Sequence, residues 1–94
     1  MQKLMNGLIY NSATARLMAE THDSDDEETR RQRLYRTDNG HWFLRVDTAR
    51  HCLPDVWSSH LFPLPDAELA IWLSNHAGGG VGKQITERLM ATPA

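Results

Sequence analysis

The sequence predicts an α+β domain, with an antiparallel sheet of about four strands backed by one main helix and a short helix after it. Three observations predict it. First, Asn39-Gly40 interrupts two alternating runs, Arg33–Thr37 and His41–Val46. Asn-Gly is among the strongest short hairpin signals, because a two-residue type I′ turn needs positive φ at both central positions. Second, Leu69, Trp72, Leu73 and His76 fall at i, i+3, i+4 and i+7, the spacing of one helix face. Third, 94 residues suit one domain with a single modest core.

Taken in order, Gly7–Tyr10 is a short apolar run ahead of Asn11-Ser12-Ala13-Thr14, a group of turn formers. Residues 13–20 admit two readings. Ser12 can cap a helix from Ala13 to Glu20, or Leu8–Tyr10 and Ala15–Thr21 can pair as a hairpin. Local propensity favours the helix. The hairpin is preferred, because an isolated two-stranded ribbon around Asn39-Gly40 would be only marginally stable and needs sheet neighbours. His22–Glu28 is a polar loop, and Thr29–Arg36 and His41–Asp47 are the central strands. A type I′ turn sets Asp38 opposite His41, Tyr35 opposite Leu44 and Arg33 opposite Val46. Tyr35, Trp42, Leu44 and Val46 then share one face, and Leu34, Arg36, His41, Phe43 and Arg45 the other.

Thr48–Leu64 is expected to be irregular, with Pro54 and Pro63 in it and Trp57 folding it onto the sheet. Pro65–His76 is the clearest helix. Pro65 and Asp66 suit its first turn, and Ala77-Gly78 stops it. Gly78–Gly82 reads as a link, and Lys83–Met90 as two helical turns carrying Ile85 and Leu89. The chain therefore divides into a domain at 1–77, a link at 78–82 and a short helix with its tail at 83–94. Trp42, Leu44, Tyr35, Leu69, Trp72 and Leu73 are the expected core.

Charge and motifs exclude more than they assign. A net charge of -2 lacks the broad basic footprint of a nucleic-acid binder. Glu20, Asp23, Asp25, Asp26, Glu27 and Glu28 hold half of the 12 acids, and Arg30, Arg31, Arg33 and Arg36 follow at once. Such a block can steer the approach of a basic partner. A lone Cys52 and the lack of any long apolar run suit a cytoplasmic protein off the membrane. Gly79-Gly80-Val81-Gly82-Lys83 is no phosphate loop, since Gln84 stands where a Ser or Thr should bind the metal ion. His51, Cys52, Asp55 and His60 lack the paired short spacings of zinc ligands. Neither Cys52 nor Ser58-Ser59-His60 has the surroundings of a nucleophile. No catalytic residue, metal or cofactor is expected, and the chain is expected not to be an enzyme.

Several strings taken together resemble a known family. They are Ile9-Tyr10, Thr14-Ala15 with Met18-Ala19, Leu34-Tyr35-Arg36-Thr37 with Gly40 and Trp42-Phe43-Leu44, and Pro63-Leu64 ahead of Ala70, Trp72-Leu73 and His76. Together they resemble a family of short proteins of bacterial plasmids, prophages and other mobile elements, over residues 8 to 77. The resemblance implies a small antiparallel sheet backed by one helix. It carries no activity across, only a setting in which small acidic-patched proteins inhibit host defence, anti-CRISPR proteins among them. The first expectation is a binding protein whose loop acids Asp23, Asp25, Asp26, Glu27 and Glu28 meet a host protein or protein–RNA defence complex, as a monomer or homodimer. The alternative is a nucleic-acid-binding or regulatory module that uses Arg36, His41, Phe43 and Arg45.

Overall fold

The computed structural model describes residues 1–53, 55–76, 78 and 80–90. A first ribbon pairs β1 (Gln2–Met5) with β2 (Leu8–Asn11). Met5 faces Leu8, so Asn6 and Gly7 alone make the turn, with φ of 52° and 78°. Two successive positive values are what a type I′ hairpin needs. The Asn-Gly pair that forms this turn is therefore the one at 6–7. The pair at 39–40 forms a different one.

Four further strands make an antiparallel meander in chain order: β3 (Arg16–Ser24), β4 (Glu28–Arg36), β5 (Trp42–Arg50) and β6 (Trp57–Pro63). The α+β class and an antiparallel sheet are as the sequence predicts. The strand pairing differs in three respects. Leu8–Asn11 pairs with β1 and does not pair with β3, although both segments are strands. Residues 57–63, expected to be irregular, are an edge strand on β5. Trp57 is thus a strand residue and not a loop anchor.

The third difference is register. The β4–β5 loop holds three residues, Asp38, Asn39 and Gly40, between Thr37 and His41. The Gly40 N–H donates to the Thr37 carbonyl at 2.9 Å, and the Thr37 N–H donates to the His41 carbonyl at 2.8 Å. Only Gly40, at φ 83°, is left-handed. This is the three-residue loop in which a type I turn ends on a left-handed glycine. It pairs Tyr35 with Phe43, Leu34 with Leu44 and Arg33 with Arg45. A one-residue slip exchanges the faces of a strand. Tyr35 therefore joins Phe43, and Leu34 and Arg36 join Trp42 and Leu44. Gly40→Ala is expected to lower stability by about 1 kcal/mol, the cost of a Cβ in left-handed backbone. The new Cβ also meets Arg36 Nη2 at 3.2 Å, the free end of a side chain that can move aside. Asn39→Ala should cost clearly less in thermal unfolding; equal losses would contradict this loop.

The two faces of the meander are covered differently. On one, Met18, Ala19, Leu34, Leu44, Trp72 and Val81 are buried, with Trp42, Val46, Leu69, Leu73 and Ile85 against them. Leu17 pairs with Tyr35 and Ala19 with Leu34, so Met18 is an extra residue in β3. This bulge lets two consecutive side chains enter one core. Helix α1 (Asp66–Asn75) supplies Trp72, whose Nε1–H donates to Gln32 Oε1 at 3.0 Å. His76 stacks on the Trp72 ring at 4.3 Å. Helix α2 (Val81–Met90) begins inside the expected link and packs on β3. Val81 is fully buried, and Gln84 bonds both the N–H and the carbonyl of Glu20, taking up the edge of β3 as a strand would. Helix α2 is thus part of the domain. Ala77, Gly79 and the tail at 91–94 lie outside the described residues, as does Pro54.

On the other face the β1–β2 ribbon covers only one end. Tyr10 meets the fully buried Phe43 edge-on at 5.4 Å, Phe43 stacks on Tyr35 at 5.1 Å, and Leu61 completes the cluster. The rest of that face is open.

Candidate functional site

The open half of the sheet is polar, and register dictates its composition. Side chains of one face recur every second residue. Beyond the Phe43 cluster, Glu20, Arg33, Arg45 and Leu61 lie in one cross-strand row, and His22, Arg31, Asp47 and Ser59 in the next. Ser24, Thr29, Ala49 and Trp57 form the last. Arg31, Arg33, Arg45, Asp47, Trp57 and Ser59 line a cavity of about 280 Å³.

Asp47 is the centre of this arrangement and is buried. Arg33 Nη2 donates to Asp47 Oδ2 at 2.6 Å. Arg45 Nε donates to Oδ1 at 3.1 Å, and the Ser59 hydroxyl to the same oxygen at 2.5 Å. Burial alone would raise the Asp47 carboxyl, but these bonds from Ser59, Arg33 and Arg45 more than offset it and hold the group below the usual carboxylate range. The same carboxylate solves a packing problem. Arg33 and Arg45 are direct cross-strand partners, and like charges placed opposite one another repel. Asp47 bridges them.

The cations are not used up. Arg31 touches His22, its Nε lying 3.1 Å from His22 Nε2, and makes no ion pair among the described residues. Arg33 Nε is buried without a hydrogen-bond partner among them. Trp57 stands at the wall of the cavity, 47% exposed.

Of the four residues expected to share a recognition face, the structure keeps only one here. Arg45 lies in the cleft. Phe43 is buried beneath Tyr10. Arg36 lies on the opposite face, its guanidinium 5.9 Å from the Trp42 ring centroid. His41 is exposed and flanks the three-residue loop. The single face of Arg36, His41, Phe43 and Arg45 does not exist, because the three-residue loop shifts the register. Sequence reasoning does not bring Arg31, Arg33, Asp47, Trp57 and Ser59 together, for the same reason and because it gives no strand at β6. Their signal is the alternation Arg31-x-Arg33, Arg45-x-Asp47 and Trp57-x-Ser59, three polar i, i+2 pairs that one face collects.

The loop expected at His22–Glu28 is shorter: β3 runs to Ser24 and β4 begins at Glu28, so Asp25, Asp26 and Glu27 alone form the β3–β4 tip, with Asp23 and Glu28 on the strands beside it. Asp25 Oδ1 accepts from the N–H groups of Glu27 and Glu28 at 2.8 Å each, and the Asp25 N–H donates to the Glu28 carbonyl at 3.0 Å. Those backbone bonds hold the Asp25 carboxyl below its ordinary value. Asp25 therefore folds the tip. Glu28 pairs with Arg30 at 3.1 Å. Asp23, Asp26 and Glu27 are exposed and make no ion pair among the described residues. The His51 N–H donates to the Glu27 carbonyl at 2.9 Å, tying the start of the β5–β6 loop to the tip. His51 Nε2 also lies 3.1 Å from the Thr29 hydroxyl and 3.4 Å from that of Ser24. These contacts clasp the end of the sheet.

Among the described residues no group of three His, Cys, Asp or Glu side chains is placed to hold a metal ion, and no helix is long and apolar enough to cross a membrane. No family model, no curated protein and no solved structure matches this chain.

Proposed function

We propose that this chain is a non-enzymatic binding protein of a phage or mobile element that occupies a nucleic-acid-binding surface of a host defence complex, in the manner of an anti-CRISPR inhibitor. The observation that carries this reading is the β3–β4 tip. Asp26 and Glu27 stand on a turn that Asp25 has already folded, Asp23 stands beside it near the end of β3, and none of the three makes an ion pair among the described residues. A prefolded anionic loop loses little entropy on docking, and its charges can take the place of phosphates on an Arg/Lys surface. The Leu34–Leu44 string and its resemblance to mobile-element proteins supply the setting. The partner is a protein or protein–RNA complex in the bacterial cytoplasm, met by a monomer or homodimer.

The test is a phage plating assay in a bacterial host with active CRISPR immunity, with and without the expressed chain. The native chain should restore plating of the targeted phage. Asp23→Lys, Asp26→Lys and Glu27→Lys together should weaken capture of the defence complex by roughly tenfold or more, chiefly through slower association at low salt, and should abolish the restoration. Asp25 and Glu28 are kept, so the tip stays folded. Full restoration by the triple variant would refute this use of the loop.

A further inference from the structure

The cleft on the open sheet face has a chemistry of its own, independent of the acidic tip. Three guanidinium groups, Arg31, Arg33 and Arg45, converge on it, and the one buried carboxylate among them, Asp47, bonds only two. Arg31 donates its Nε–H to His22 and makes no ion pair among the described residues, and Arg33 Nε is buried without a partner there. Unsatisfied guanidinium donors held by a rigid sheet are suited to a multivalent oxyanion, which accepts several N–H bonds at once in fixed geometry. Beside them is an aromatic plane. Trp57 belongs to the same face of β6 as Ser59, two residues and so about 7 Å away along the strand, and half of its indole is open to solvent. Cations that hold phosphate next to an indole that takes a base are the two components by which single nucleotide units are bound without sequence preference.

We infer that this cleft binds a phosphorylated nucleotide unit, its phosphate on Arg31, Arg33 and Arg45 and its base stacked on Trp57. The cavity, about 280 Å³, is just below the usual ligand-pocket range of roughly 300–1,000 Å³, and so admits no more than one unit. The unit is either a free nucleotide or one residue of a single strand. Glu20, opposite Arg33 in register at the sheet edge, bounds the cationic area on the β3 side.

The experiment is calorimetric titration of the intact protein at low salt with deoxythymidine monophosphate, with thymidine, with inorganic phosphate and with a 5′-phosphorylated thymidine pentamer. The Trp57 indole N–H is followed in parallel by NMR. The monophosphate should bind saturably, shift the Trp57 signal and weaken as salt rises. Thymidine and inorganic phosphate, each offering half of the chemistry, should bind at least tenfold more weakly. Pentamer affinity above that of the monophosphate identifies a strand as the natural source, and the reverse order identifies a free nucleotide. Arg31→Gln and Trp57→Leu lie outside both cores and leave the Asp47 bonds intact; each should weaken binding about tenfold, the scale of a lost charged hydrogen bond or a lost base stack. The inference is overturned if neither the monophosphate nor the pentamer binds at millimolar concentration, if thymidine or inorganic phosphate binds as well, or if both variants bind like the native chain.

Discussion

Phe43→Ala is expected to lower stability by about 3–5 kcal/mol, the range for emptying an aromatic site in a packed core. At roughly 4–8 °C per kcal/mol for a domain of this size, the melting temperature should fall by more than about 10 °C. The side chain is fully buried, stacked on Tyr35 and met edge-on by Tyr10. Its removal costs more than volume. The β1–β2 ribbon has two strands of four residues each, a size that is marginal by itself. It is held through Tyr10 and Met5 to the Phe43 cluster. Backbone amides of residues 2–11 should therefore exchange with solvent far faster in the variant, while those of β4 near Leu34, beneath the helices, keep most of their relative protection. The result separates the two registers of the β4–β5 hairpin. With the two-residue turn, Phe43 would lie beside Arg36 on a recognition face, and truncation would cost well under 1 kcal/mol, as exposed substitutions do. A loss that small would refute the observed pairing.

The same hairpin shows what the sequence discloses and what it withholds. Alternation within each run was legible: Trp42, Leu44 and Val46 do share a face, and Phe43 and Arg45 the other. How the two runs align was not, because Asn39-Gly40 is compatible with a two-residue and a three-residue loop, and a single residue decides which side of β4 faces which core. The α1 stripe of Leu69, Trp72 and Leu73 was legible because helical spacing is set by local geometry alone, and all three face the sheet. Strand β6 was not. Trp57-Ser58-Ser59-His60 has one large apolar residue, and an edge strand exposed along one side needs no strong alternation. Helix α2 was legible as two helical turns over Lys83–Met90, but not as part of the packed domain, since glycines precede it. Its place is fixed by Val81 in the core and by Gln84 on the β3 edge, tertiary contacts that no local pattern announces. The cleft depended on both gaps at once. Arg31, Arg33 and Asp47 converge only in the right register, and Trp57 and Ser59 reach them only through β6.

Asp47→Asn is expected to cost about 3 kcal/mol at neutral pH, the scale of breaking a buried charge cluster from one side. An amide keeps the shape but not the charge, and whichever way it turns its NH2 group faces Arg33 or Arg45, a guanidinium that cannot accept. Arg33 and Arg45 remain opposite each other, now as unscreened like charges in a partly buried place. Ser59→Ala, which removes one of three bonds to the carboxylate, should cost nearer 1 kcal/mol. The pH dependence tests whether the charge is responsible. The folded-state pKa of Asp47 lies below its ordinary value, so the native protein binds fewer protons here than the unfolded chain does. The stabilisation is therefore complete above the unfolded value, about 3.9, and is lost as pH falls through the lower folded value. The gap between native and Asp47→Asn proteins, measured by urea unfolding, should be widest near neutrality and close in acid. A gap that stays constant down to about pH 2 would assign the effect to packing and remove the carboxylate from its role. That role also bears on the cleft. A sheet face that sets two arginines directly across from each other and a third beside them is unfavourable in itself. It is held together because one buried acid, Asp47, bridges the pair. If the face served stability alone, an apolar pair in place of Arg33 and Arg45 would do better, since such replacements are often neutral or stabilising. Three guanidinium groups beside a half-exposed Trp57 thus fit the nucleotide binding inferred for the cleft.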